Sequence, residues 1–198
     1  MFLNSLWENR AVSAIWFRPA GLCLIRGYFI ATEFETMTDA QIRRIADPMR
    51  NWFEPGGSVE NALSELLSAT DSRAVGLWRL EGASLRLVGF QAKSDMPESV
   101  QAGFAEATRE VPLDQTGLGI VKAVLHRGPA VAHVEAGETG LSDSASWLVK
   151  FAAVMSLAVP ILDREEIVGV LAMSTANPFY ENDETWRLLA GVAERLGD

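Results

Sequence analysis

Two pairs of apolar runs constrain this chain more than any other feature. AVGLWRL (74–80) and SLRLVGF (84–90) are separated by Glu-Gly-Ala, and MSLAVPIL (155–162) and EIVGVLAMST (166–175) by Asp-Arg-Glu. Each run is short, rich in aliphatic and β-branched residues, and bounded by turn formers, which is the signature of a strand. A three-residue link cannot hold the crossover that a parallel pair needs, so each pair must fold as an antiparallel hairpin. In 84–90, Leu85 and Leu87 alternate with Arg86 and Val88, a half-buried pattern.

The rest of the chain reads mostly as helices. MTDAQIRRIADPMRNWF (37–53) has Thr38 or Asp39 as a cap and Ile42, Ile45, Ala46, Met49 and Trp52 or Phe53 on one face. Pro55-Gly56-Gly57 breaks it, and Ser58 is placed to accept from the free amides of a second helix carrying Val59, Ala62, Leu63, Leu66 and Leu67. Pro97 opens a third with Val100, Phe104 and Ala107 on one face, and Gly117 to Arg127 forms a fourth, stopped by Gly128-Pro129. A short strand at AVAHV, a polar Gly-rich loop from Glu135 to Ser146, a short helix at WLVKFAAV and a last helix at DETWRLLAGVAERLG complete the order. Hairpins with segregated helices give an α+β layer fold on an antiparallel sheet.

Composition narrows the function. The 198 residues are 48% hydrophobic and 22% charged, as in an ordinary globular chain, and their length suits one domain. A net charge of -9 supplies no basic footprint for nucleic acid or for an anionic membrane surface. The apolar stretch 11–31 is interrupted by Arg18, Pro19 and Arg26, so neither a membrane span nor a signal peptide is read there. Cys23 is the single cysteine, which excludes an intramolecular disulfide or a cysteine-rich zinc site and suits a reducing cytoplasm. Residues 1–36 are electrically neutral and poorly periodic, so they are expected to be an extension, either upstream of a native start at Met37 or poorly ordered.

The C-terminal residues carry a family resemblance. SLAVPILDREEIVGVLAMS followed by NPFYENDETWRLLAGVAERLG resembles the C-terminal half of a GAF domain, and QTGLGIVKAVLHRGPAVAH is similar to the family's preceding helix and strand. The likeness spans about residues 58–198, with 37–57 as an N-terminal helix and its break. It implies a central antiparallel sheet of five or six strands. Terminal helices would cover one face, and short helices and loops would close a small-molecule pocket on the other. By that analogy the pocket walls are Trp78, Phe90, Trp147, Phe151 and Ser156.

The resemblance also sorts the chemistry. Asn177, Phe179, Asp183 and Glu184 fall where cyclic-nucleotide-binding members have their signature, but Pro178 stands at its lysine position and supplies no ammonium to pair with Asp183. The same residues suit a helix start, with Asn182 as cap, Asp183 and Glu184 complementing the dipole, and Phe179 anchoring outside. Free methionine sulfoxide reduction, known in the family, and bilin attachment both need a thiol inside the domain, where none occurs. His126 and His133 are candidate haem ligands, set against a helix-end and a strand-packing role; Gly117-Leu118-Gly119 lacks the third glycine of a dinucleotide fingerprint. No catalytic or metal residue is assigned, no cofactor is named, and the chain is read as a non-enzyme.

Two readings follow. In one, an unidentified small molecule fills the cavity, orders the loop 135–146 and shifts the terminal helices. In the other, the aromatics fill the pocket and the domain is a ligand-free interaction module. The sequence holds no kinase, cyclase or DNA-binding helix pair, so a signal is expected to leave through a partner signalling protein. The stripe Trp186, Leu189, Ala193 and Leu196 with Ile42, Ile45 and Met49 exceeds what one sheet face needs, which points to a homodimer. Mass spectrometry of the protein made from its native locus is expected to find Met37 as the first residue. A peptide from residues 1–36 would refute that start.

Overall fold

The computed structural model describes residues 37–52, 58–134 and 143–198. The expectations for residues 1–36, for Phe53 and the Pro55-Gly56-Gly57 break, and for 135–142 of the Gly-rich loop lie outside them. Six strands, β1 (Ser72–Glu81), β2 (Ser84–Ala92), β3 (Glu110–Pro112), β4 (Ala130–His133), β5 (Met155–Asp163) and β6 (Glu166–Thr175), form one sheet in the order β3-β2-β1-β6-β5-β4. Every neighbouring pair is antiparallel. The α+β architecture with an antiparallel sheet therefore holds, with six strands.

The two hairpins form where the apolar runs put them, though both turns tighten to two residues. Gly82 at φ 61° and Arg164 at φ 57° take the left-handed conformations that such turns require. β1 then pairs with β6, far away in sequence, and this register sorts the side chains. Val75 faces Met173 and Leu77 faces Leu171 on one side; Ala74 faces Ser174 and Trp78 faces Val170 on the other.

Helices α1 (Met37–Ala46), α2 (Glu60–Ala69) and α6 (Glu184–Gly197) cover the first side. Their Ile45, Leu63, Leu66, Leu189 and Leu196, with Met49 just past α1, are buried against Val75, Leu77, Leu157, Ile161, Leu171 and Met173. Pro48 ends α1 and a 3-10 turn, Asp47–Met49, follows. The stripe read as a dimer surplus is thus taken up inside one chain: five of its residues are buried, and Ile42 and Trp186 pack against the same core. Three helices share this face, which is why the apolar excess visible in sequence is not left on the surface.

Two long-range contacts lock this layer. Trp52 packs its indole over Gly169 and donates Nε1 to the Leu196 carbonyl at 3.4 Å. Arg195 Nε donates to Asp47 Oδ1 at 2.7 Å, and this hydrogen bond holds the Asp47 carboxyl below its usual range. At the other end of α6 the cap is Asp183, not Asn182. Its Oδ1 accepts from Trp186 N at 2.8 Å and its Oδ2 from Tyr180 N at 3.0 Å, while Asn182 takes φ 68°. Phe179 is buried beside Trp186 in the helix-side core. The NPFYENDE segment is therefore used to start a helix, on the side of the sheet remote from the cavity described below.

Other expectations shift locally. Ser58 donates to Glu60 Oε2 at 2.7 Å instead of capping α2, and that bond lowers the Glu60 pKa. Pro97 is the N-cap of α3 (Glu98–Ala107) rather than its first residue. β3 has no counterpart in the sequence reading. Among the described residues no helix is long and apolar enough to cross a membrane.

A Cβ at Gly169 would lie 2.4 Å from the Trp78 carbonyl oxygen and 2.6 Å from the Trp52 ring. Neither can yield without moving the sheet or unseating the indole. Gly169→Ala is expected to destabilise the fold by about 1–3 kcal/mol, read as a lower urea midpoint. An unchanged midpoint would contradict this packing.

Candidate functional site

The second side of the sheet begins with a close approach. The Trp78 indole lies flat across Gly76, where a Cβ would come within 2.4 Å of the ring. Any side chain at Gly76 would lift the indole off the strand. Trp78 is buried, and its Nε1 donates to the Thr108 carbonyl at 3.1 Å, so the ring is fixed at both ends.

Above this floor, α3 supplies Phe104. Its ring is the hub of the aromatic cluster, with centroids 4.8 Å from Phe90, 4.9 Å from Phe151, 5.2 Å from Trp147 and 6.2 Å from Trp78. Three of these contacts are edge-to-face, the arrangement that ring quadrupoles favour. Helix α5 (Asp143–Lys150) begins earlier than the sequence suggested and brings Trp147 and, just past its end, Phe151. Lys150 Nζ sits 3.9 Å above the Trp147 ring centroid.

Two contacts hold the short helices over the sheet. Gly119 N, in the first turn of α4 (Gly119–His126), donates to Ser144 Oγ at 2.9 Å and so ties α4 to α5. Arg73 Nε donates to the Phe151 carbonyl at 2.8 Å, while its Nη1 reaches both oxygens of Asp95 at 2.9 Å. The Arg73 hydrogen bonds, first among several causes, hold the Asp95 carboxyl below its usual range.

Between these layers lies a cavity of about 80 Å³. Trp78, Phe90, Trp147, Phe151 and Ser156, the five wall residues expected by family analogy, all line it. The sequence reading did not include Phe104, although its place on an amphipathic helix face was visible, nor Thr108, Ser144 or Ser174. Ser174 is opposite Ser156 across β5 and β6, on a floor of small side chains that includes Ala74, Ala158 and Ala172. Ser174 Oγ is buried and has no hydrogen-bond partner among the described residues. Among the described residues no charged side chain lines the cavity. His126 and His133 are exposed and stand outside it, and no cluster of three His, Cys, Asp or Glu side chains occurs among the described residues.

A family model, the GAF domain, matches residues 56–198. The chain belongs to the GAF domain family. Solved GAF structures share its architecture at low sequence identity. The phycocyanobilin-bound GAF domain of a cyanobacterial phytochrome superposes with a TM-score of 0.58 at 13% identity, covering 81% of this chain and 91% of that one. The GAF domain of an Acinetobacter phosphoenolpyruvate-protein phosphotransferase gives 0.53 at 15% identity, covering 82% and 91%. Free methionine-R-sulfoxide reductase from Neisseria meningitidis, solved with its substrate, gives 0.52 at 18% identity, covering 80% and 83%. No curated protein matches the chain. These likenesses establish the GAF fold.

Arg73 thus anchors one wall of the GAF cavity through a single carbonyl. Arg73→Ala is expected to lower hydrogen-exchange protection at Leu148 to Ala153 by roughly tenfold, the scale of a local opening. Acid should act in the same direction. Asp95 has a lowered folded pKa, so its contribution is complete above the unfolded value, near 3.8, and is lost as pH falls through the folded one. Protection that Arg73→Ala leaves unchanged would show that the wall is held by other contacts.

Proposed function

We propose that this GAF domain is a small-molecule sensor whose ligand occupies the cavity between Trp78 and α5. The observation that carries the reading is Ser174, a buried hydroxyl without a partner among the described residues inside a largely apolar cavity, since such a group costs stability unless something bonds it. GAF domains commonly sense small molecules in signalling. The sheet is one layer thick, so Ser156 and Ala158 meet the ligand while Leu157 and Val159, which alternate with them, meet the terminal helices. A ligand that favours one setting of β5 thereby biases α6, through which the signal passes to a partner protein or a second copy. Such a bias is limited to the ligand's difference in affinity for the two settings.

We read the domain as a binder rather than a catalyst. Among the described residues its lining offers no His, Cys, Lys, Arg, Asp or Glu to serve as acid, base or nucleophile. Sulfoxide reduction needs a thiolate, and Cys23 stands outside the GAF-matched residues. The mutual contacts of the five rings favour a second reading, a ligand-free interaction module whose aromatics fill the cavity. Native mass spectrometry of protein purified gently from its own host separates the two. A stoichiometric extra mass that disappears on denaturation is expected. A bare polypeptide mass, with no added small molecule shifting the amides of Ser156 or Ser174, would favour the filled pocket.

A further inference from the structure

We infer that the cavity takes a small, uncharged, planar aromatic molecule bearing one hydrogen-bonding group, which Ser174 on β6 receives beside Ser156 on β5. The inference rests on the cavity being a ligand site, as proposed above, and specifies what can occupy it.

The shape comes from the two layers. Ala74, Ala158 and Ala172 make a shallow floor beside the flat Trp78 indole, and the rings of Phe104 and Trp147 stand opposite. A slot with small side chains on one side and rings on the other accepts a flat molecule, and its volume of about 80 Å³ suits one of few atoms.

The polarity comes from a census of the lining. Thr108 Oγ1 donates to the Phe104 carbonyl at 2.9 Å, and Ser144 Oγ accepts from Gly119 N. The Trp78 N–H is used by the Thr108 carbonyl. Those groups are committed within the fold. Ser174 Oγ is not, and Ser156 lies directly opposite it, so the hydrogen-bonding capacity left for a ligand is concentrated at this end of the slot.

The charge follows by elimination. Among the described residues the lining offers an anion no cation to pair with, and an unpaired buried charge is far more costly than a neutral polar group. A quaternary ammonium would suit the aromatic walls, but it donates no hydrogen bond and would leave Ser174 unmet. Lys150, outside the lining, already occupies one face of Trp147, so that face is not open to a second ammonium.

The test is a titration of the full chain, ¹⁵N-labelled, with phenol, toluene, benzoate and tetramethylammonium at neutral pH, followed at the amides of Ala172 and Ser174. Phenol is expected to bind, with benzoate and tetramethylammonium at least roughly tenfold weaker. Ser174→Ala should weaken phenol about five- to tenfold, the range for loss of one buried hydrogen bond, and leave toluene unchanged. The same variant removes an unpaired hydroxyl, so the ligand-free protein should melt no lower than the parent. Benzoate or tetramethylammonium binding as tightly as phenol would overturn the inference. So would equal weakening of phenol and toluene in Ser174→Ala, or a lower melting point for it. If no probe shifts the amides while native mass spectrometry finds a bound molecule, the ligand class is wrong and the sensor reading stands. If no probe binds and the native mass is bare, both fall.

Discussion

The pairing of β1 with β6 is the interaction on which everything else depends. Each hairpin can form locally, but a two-stranded ribbon is marginal alone, and only their union makes a sheet with two coverable faces. The register of that union decides what each face is. A slip of one residue would send Leu171 and Met173 toward the cavity, and Ala172 and Ser174 toward the helices. Burial of the large aliphatic side chains under three helices therefore fixes, as a by-product, the small and polar floor on the other side.

How much of this was legible depended on the range of the determining contacts. The hairpins were readable because alternation and turn residues are local, and β6 spans the residues its apolar run marked. β3 was invisible because three residues, one of them Pro112, carry no periodicity; it exists because β2 offers an edge. The start of α5 was hidden by Asp143 and the serines after it, which read as loop until Ser144 bonds Gly119. Asn182 and Asp183 are both good caps, and the sequence does not say which of the two will take the left-handed φ. The five wall residues were placed by family likeness and do surround one cavity. Ser174 was not found, because a serine near a strand end looks ordinary, and its lack of a partner is a property of the register and of nothing local.

The cavity is also the place where the fold departs from best packing. The described core matches large side chains to glycines, as Trp52 does over Gly169 and Trp78 over Gly76. Around the cavity, small residues face rings and a hydroxyl is left unmatched. The α5 wall above it is held by directional bonds from Arg73 and Ser144 as well as by its apolar contacts. Such bonds can be exchanged at little cost when a wall must shift, whereas the interlocked helix face cannot relax without losing packing.

The same strand order has a bearing on solubility. A sheet that left a long strand at its margin would offer unpaired backbone groups as a template for other chains. Here the longest strands are interior, and the margins are β3, with three residues including a proline, and β4, with four. A partner strand could gain only a few backbone hydrogen bonds on β3 or β4 themselves, too few to offset the ordering they would require; beyond them, among the described residues, the outer edges of β2 from Leu87 to Ala92 and of β5 from Val159 to Asp163 have no strand neighbour, the latter interrupted by Pro160. Growth of the sheet from molecule to molecule is thereby opposed at β3 and β4, and association there is steered toward side-chain surfaces, where specificity can be encoded.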